Sequence, residues 1–312
     1  MRALIPVLSA LLLAAAVRPA ASASGFAGEF LALGAGARAL ALGGAYVALA
    51  DDATAGYWNA AGLVRLPERQ LHLMHAERYA GLVDHQVLAL ADGGRGGRGF
   101  AVSLLRVGVA DIPFTELEDP TQPLSATNRP IVASAESSAD YALYLSCGQR
   151  LHPRLDVGAS LKGIYRTVGP YSAYGGGLDL GALLRLHTTL TVGLVVRDVT
   201  TTPVHWDTDT ADRIQPSLLA GMALARGLGP GRGTLLAAVR AGGDAAAADN
   251  ASMLLAGVEY SYRYVAVRAG LEEGRQSLGI GLRVHPRLQL DLAYAQHDEL
   301  ESIQQVSAGF RF

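Results

Sequence analysis

Asp51 and Asp52 stand side by side, and paired carboxylates are what general acid–base chemistry asks for. Adjacent residues point in different directions, however, so the two do not read as a cooperating pair. The Gly-rich run around Gly34–Gly44 resembles a phosphate cradle in composition only. No strand leads into it within a βαβ unit, and no Lys-Ser/Thr follows. His72 and His75 are three apart on a predicted strand, so they face opposite sides and do not share a metal. His152 and His285 each precede a proline in matching frames, Arg-Leu-His-Pro-Arg-Leu and Arg-Val-His-Pro-Arg-Leu, which read as hairpin turns. The single Cys147 forms no internal disulfide and behaves as a small hydrophobe. No nucleophile has a convincing base, so no catalytic residue, metal site or cofactor is predicted.

The charges that remain fall on one face of alternating segments. Lys162, Arg166, Arg185, Arg197, Arg268, Arg283 and Arg311 stand there against Asp179, Glu259 and Asp291. Such a face can receive an anionic head group, such as a fatty-acid carboxylate. It can equally form a salt-bridged wall.

The elements that carry these residues are strands. Leu288, Leu290, Leu292 and Tyr294 alternate with Gln289, Asp291, Ala293 and Ala295, and Leu278, Ile280, Leu282 and Val284 alternate with Ser277, Gly279, Gly281 and Arg283. The same period of two runs through 174–186, 189–200 and 252–262. It predicts fourteen strands: 69–77, 84–92, 98–109, 137–149, 155–168, 174–186, 189–200, 214–226, 233–241, 252–262, 264–271, 275–285, 288–297 and 302–312. Tight turns alternate with longer polar stretches at 110–136, 200–213 and 242–250. Tyr141, Tyr260, Tyr262 and Tyr294 fall on apolar faces, as an interfacial aromatic girdle would.

Of the 312 residues, 50% are hydrophobic and 17% charged, with 26 Lys+Arg against 28 Asp+Glu. That balance excludes a disordered chain and a nucleic-acid binder. Residues 1–23 read as a secretory signal peptide, with Arg2, an apolar stretch and Ala21-Ser22-Ala23 as the cleavage site. No later segment has 18 consecutive apolar residues. An exported, apolar chain without a spanning helix suits a closed barrel. Strands of about ten residues fit a tilted membrane crossing. A final strand with Phe310 and Phe312 on one face resembles the signal read by the barrel-assembly machinery. The predicted fold is an all-β transmembrane antiparallel barrel in the bacterial outer membrane, comprising residues 67–312.

Residues 24–66 do not alternate. They contain Gly34-Ala-Gly-Ala-Arg-Ala-Leu-Ala-Leu-Gly-Gly-Ala-Tyr-Val-Ala-Leu-Ala-Asp-Asp-Ala-Thr-Ala-Gly-Tyr-Trp58-Asn59-Ala-Ala61-Gly-Leu63. Fourteen strands enclose more space than inward side chains fill, so a small-residue segment can occupy the lumen as a plug. The run resembles the N-terminal signature of the PorV/PorQ proteins, within the wider FadL-like outer-membrane barrels. The resemblance implies a hatch seated through an Asn-Pro-Ala motif. Asn59 and Ala61 match it, and Ala60 replaces the proline. Asp51, Asp52, Trp58, Asn59 and Ala61 are therefore the candidate plug and ligand residues. The resemblance implies one of two functions. The first is passage of hydrophobic, anionic small molecules by a plug-gated or lateral route. The alternative is an accessory or shuttle role beside secretion-system proteins. An apolar inward patch beside Asn59 favours the first; a broad polar docking surface in 110–136 and 200–213 favours the second.

Overall fold

A computed structural model describes residues 27–243, 252–296 and 302–312; the predicted signal peptide lies outside them. The strands are β1 (Gln70–Arg78), β2 (Val83–Asp92), β3 (Arg98–Leu117), β4 (Pro130–His152), β5 (Leu155–Val168), β6 (Tyr171–Arg185), β7 (Leu190–Arg197), β8 (Thr202–Trp206), β9 (Ala211–Ile214), β10 (Ser217–Leu228), β11 (Gly231–Gly242), β12 (Met253–Tyr262), β13 (Val265–Glu272), β14 (Arg275–His285), β15 (Leu288–Ala295) and β16 (Ile303–Arg311). All except the β8–β9 hairpin form one closed antiparallel ring of fourteen. The first strand closes on the last, from Gln70 opposite Arg311 to Glu77 opposite Gln304. Closure leaves no open sheet edge in the ring, which is the condition for a sheet to cross lipid.

Alternation sorts the side chains as their sequence period demands. Leu278, Leu282, Leu292 and Tyr294 are exposed on the outside, while Ser277, Asp291 and Ala293 are buried within. Tyr141 and Leu151 bound this outer apolar band on β4. At about 3.3 Å per residue and a tilt near 40°, the distance between them is about 25 Å along the barrel axis. That matches the hydrocarbon band of an outer membrane. Tyr141 stacks on Tyr165, and Tyr165 packs against Tyr174, at centroid separations of 6.1 and 4.9 Å across adjacent strands. They form an aromatic belt at the upper edge of that band.

At one end, here the turn end, every connection is short. In both His-Pro turns the backbone N–H of the arginine two residues on donates to the histidine Nδ1, at 3.2 Å in each. The histidines therefore close turns. Short turns mark the periplasmic end of such barrels. The opposite, loop end does not alternate as simply as the sequence suggests. The connections after β1, β5 and β13 are as tight as those below.

Two stretches expected to be loops are partly strand. Most of 110–136 is a two-stranded ribbon that continues β3 and β4 beyond the band, paired from Ile112 opposite Glu136 to Leu117 opposite Pro130. Its two faces are both exposed, so no apolar alternation announces it. At 200–213, the chain, having turned at Asp198 and Thr201, whose φ values are +53° and +61°, continues as the β8–β9 hairpin. β8 takes over pairing with β6 at Ala173–Gly175, above the point where β7 stops.

Residues 27–66 lie inside the ring as short helical turns, Glu29–Ala32, Ala37–Leu40 and Ala55–Trp58, and a 3₁₀ segment at Ala60–Arg65. Nearly all of their apolar side chains are buried. They fit because the wall facing them is stripped to backbone at many points. Gly148 on β4, Gly193 on β7, Gly257 on β12 and Gly279 on β14 each face the segment so closely that an added Cβ would overlap it. At Gly193 that Cβ would stand 2.5 Å from the Val47 carbonyl oxygen and 2.7 Å from Ala48 Cα. The glycines form a collar into which the segment's backbone is set.

Candidate functional site

The inner segment divides the lumen into two chambers. The upper one, toward the loop end, is a cavity of about 360 Å³. Leu31, Leu33, Leu40, Ile214, Met253 and Ile303 give it an apolar lining, and Arg78, Arg197 and Arg240 line it together with Glu29 and Glu272, the last 3.6 Å from Arg240. Arg197 lies over the rings of Tyr57 and Trp58, 4.6 and 5.7 Å from their centroids. Its Nη1 donates to Tyr57 Oη at 3.3 Å, and its Nη2 is buried with no hydrogen-bond partner. Arg78 Nη2 donates to the Leu33 carbonyl at 2.9 Å, while its buried Nε donates to nothing. The Ser277 hydroxyl at the same cavity is likewise buried and unpaired. Buried donors without acceptors are rare in folded proteins and mark a place where an acceptor fits. The chamber therefore combines an apolar wall with the guanidinium groups of Arg78 and Arg197, each of which holds a buried N–H without an acceptor.

The other charges of the polar face are mostly paired. Lys162 Nζ reaches Asp179 at 2.9 Å and Asp198 at 2.8 Å, with its side chain 1% exposed. The Asp198 N–H also donates to Asp179 at 2.9 Å, and the Thr202 hydroxyl donates to Asp198. This cluster pins the turn between β7 and β8. Arg166 pairs with Asp140 at 2.7 Å, donates to the Ala27 carbonyl at 3.2 Å and lies over Phe30. On the lower side, Arg268 joins Glu259 at 2.6 Å and Asp291 at 2.7 Å. Glu259 also accepts from Arg38 of the inner segment at 2.8 Å. Of the predicted lumenal charges, Lys162, Arg166, Asp179, Glu259, Arg268 and Asp291 are thus engaged in ion pairs. Among the described residues, Arg185, Arg197 and Arg283 show none.

The inner-segment candidates take structural positions around this network. Asp51 and Asp52, expected to diverge, converge on one hydroxyl: Tyr46 Oη lies 3.1 Å from Asp51 and 2.7 Å from Asp52. A tight turn brings them together, with the Thr54 N–H donating to Asp52 at 2.9 Å and Arg38 bonded to Asp51 at 2.6 Å. Burial works to raise the Asp52 pKa. His72, Arg38 and the donors Thr54 and Tyr46 outweigh it and hold the carboxyl below its ordinary value. Burial is also the main force pushing the Tyr46 phenol well above its usual range.

Trp58 Nε1 donates to the Ala35 carbonyl at 2.7 Å. Asn59 Nδ2 donates to the Val47 carbonyl at 2.9 Å and the Ala182 carbonyl at 3.2 Å, and its Oδ1 accepts from the Ala61 N–H at 3.2 Å. Asn59 thus ties the segment to itself and to β6, where only a glycine, Gly181, leaves room for it. Phe310 and Phe312 are exposed on the outer face at the turn end.

Arg38, Arg78, Arg240 and Tyr46 were not among the residues singled out from sequence. Arg78 shares the parity of Gln70 and His72 on β1, a signal that could have placed it inside. Arg38 lies in a segment without periodicity, which carries no such signal.

No family model and no curated protein matches this sequence. Solved structures do resemble the fold. A monoaromatic hydrocarbon channel, CymD, is 15% identical, with 90% of this chain and 98% of that one covered at a TM-score of 0.60. The Pseudomonas putida toluene transporter TodX is 13% identical, with coverage of 89% and 99% and a TM-score of 0.61. A Pseudomonas aeruginosa FadL homologue is more distant, 13% identical at a TM-score of 0.49. At this identity the likeness is one of fold. The chain shares the closed antiparallel β-barrel fold of CymD and TodX.

Proposed function

We propose that this protein is an outer-membrane channel that passes hydrophobic small molecules bearing an anionic group. The observation that carries the reading is the upper chamber. It pairs an apolar wall with the guanidinium groups of Arg78 and Arg197, neither of which has an ion pair among the described residues, and this suits a carboxylate on a hydrocarbon body. Its volume, about 360 Å³, lies within the range of small-molecule sites. CymD and TodX are named for hydrocarbon and toluene passage, which supports the apolar part of the cargo. In this reading residues 24–66 are a plug, and the glycine collar favours small rearrangements over withdrawal of the whole segment. The turn between β7 and β8, whose Asp198 lines the chamber beside Arg197 at the end of β7, is where β6 changes partner from β7 to β8 and is the point we assign to lateral passage.

The resemblance of residues 34–63 to the PorV/PorQ signature supports the secretion-accessory role only at the level of sequence. A broad polar docking surface in 110–136 and 200–213 would favour that role; the ribbon and loop of 110–136 instead expose Phe114, Leu124, Ile131 and Val132.

The test is ligand binding to the purified barrel, followed through Trp58 fluorescence in a Trp206→Phe background. Laurate is expected to bind, and Arg197→Gln to weaken it about tenfold, in line with a charge-assisted hydrogen bond worth about 1.5–3 kcal/mol. Dodecanol binding should be unaffected by the same substitution. Equal affinity of laurate and dodecanol would overturn the anionic part of the reading. Failure of laurate, dodecanol and toluene alike would overturn the channel itself.

A further inference from the structure

The turn-end mouth of the barrel carries charge that the rest of the molecule does not answer. Its cavity, about 270 Å³, is lined by Arg232 on β11, Arg263 in the turn after β12, Arg283 on β14 and Arg311 on β16. Carboxylates line it too, but they are already engaged. Asp51 is held by Arg38, Asp52 by hydrogen bonds from Tyr46 and Thr54, Glu259 by Arg38 and Arg268, and Asp291 by Arg268. Among the described residues, none of the four mouth arginines has an ion pair. A concave surface with an excess of one sign of charge concentrates partners of the other.

The placement of these arginines narrows what the partner is. Arg232 shares the inward parity of buried Thr234, and Arg311 that of buried Ser307. Arg232 and Arg311 therefore stand inside the ring, behind the wall that separates the lumen from lipid headgroups, while Arg263 lies at the rim of the turn, 5.1 Å over the ring of Tyr262. The turn-end arginines that do face outward are Arg98 and Arg226, by the alternation of β3 and β10. Size argues against a small ion. From β11 to β16 is five strand spacings, an arc of about 24 Å along the wall. A single carboxylate spans one or two of these groups. An extended chain advances about 3.3 Å per residue, so about seven residues cover the arc.

We propose that this mouth docks a short acidic peptide segment of a periplasmic partner, gripped by Arg232, Arg263, Arg283 and Arg311. The proposal is independent of what the upper chamber carries.

The probe is fluorescein-labelled heptaglutamate, titrated by anisotropy against the barrel in phosphatidylcholine nanodiscs. Binding should appear at 50 mM salt and weaken at least tenfold at 200 mM. The triple change Arg232→Glu, Arg263→Glu and Arg283→Glu should weaken it at least tenfold. The outward pair Arg98→Glu and Arg226→Glu should leave it within twofold. Heat-modifiable gel mobility reports that each variant is an assembled barrel. If the triple variant does not assemble, Arg283→Gln alone should lower affinity about threefold. The proposal is overturned by the absence of heptaglutamate binding, or by equal weakening in the outward pair. Displacement by monomeric glutamate at the same carboxylate concentration also overturns it, because the site would then hold a small anion. So does retention of affinity in an assembled inward variant.

Discussion

Placing a methyl group in the glycine collar should loosen the inner segment while leaving the barrel intact. At Gly193 the added Cβ would meet three backbone atoms, Val47 O at 2.5 Å, Ala48 Cα at 2.7 Å and Ala48 N at 2.8 Å. Ordinary contact needs about 3.5 Å, so segment and wall must part by about 1 Å. Backbone cannot swing aside as a flexible side chain would. Overpacking of this kind typically costs about 1–3 kcal/mol, which is about a five- to 150-fold shift in the equilibrium between seated and released segment. Gly163 on β5 is the control, because an added Cβ there has nothing within 4 Å. The chain has 2 tryptophans, and Trp58 belongs to the segment, so a Trp206→Phe background makes fluorescence report the segment alone. In urea, Gly193→Ala should move the Trp58 transition to lower denaturant and Gly163→Ala should not. Gly193→Ala with Gly257→Ala, which meet different parts of the segment, should add nearly independently. If the Gly193 and Gly163 variants release Trp58 at the same urea concentration, the segment is not held by close backbone packing and the argument fails.

Three further outcomes follow from the same geometry. Lys162→Met leaves Asp179 and Asp198 buried without their cation, and removal of one partner from such a pair costs about 3–5 kcal/mol; urea unfolding in vesicles should show a loss of that order, and one below about 1 kcal/mol would refute the role given to the cluster. Asp52 has a depressed pKa in the folded protein, so its contribution is full above the ordinary Asp value of about 3.9 and is lost as pH falls through the lower folded value. The Trp58 transition should therefore weaken in that acid range, and Asp52→Asn should remove that step; an identical acid step in the variant would exclude Asp52 as its source. Leu290 faces lipid and Gln289 the lumen, so Leu290→Arg should lower the level of assembled barrel in outer membranes and Gln289→Arg should not, with equal levels contradicting the facing of β15.

The strands were legible because burial on one side only writes a period of two into the chain, and Leu288–Ala295 and Arg275–His285 appear where that period placed them. The β3–β4 ribbon was not, because a ribbon wet on both faces needs no such period. Glu259 and Arg268 were both assigned to the inner face from parity alone. That they are partners became visible only with register, which sets them directly opposite on β12 and β13. Small residues suggested that 24–66 could sit in a lumen. The glycines that receive it lie on strands far along the chain, and no local pattern distinguishes a glycine facing another backbone from one in a turn.

The collar also constrains the order of assembly. The segment touches β1 through Met74, whose sulfur accepts from the Gly36 N–H at 3.1 Å, and β16 through Ser307, whose hydroxyl accepts from the Ala37 N–H at 2.8 Å. These are the two strands that meet at the seam between the beginning and end of the barrel. A segment set against backbone around the circumference meets least obstruction while the ring is still open. Seating it early lets the wall curl around it and the β1–β16 seam close over Gly36 and Ala37. Residues made first therefore act as the mandrel on which the later strands are wound.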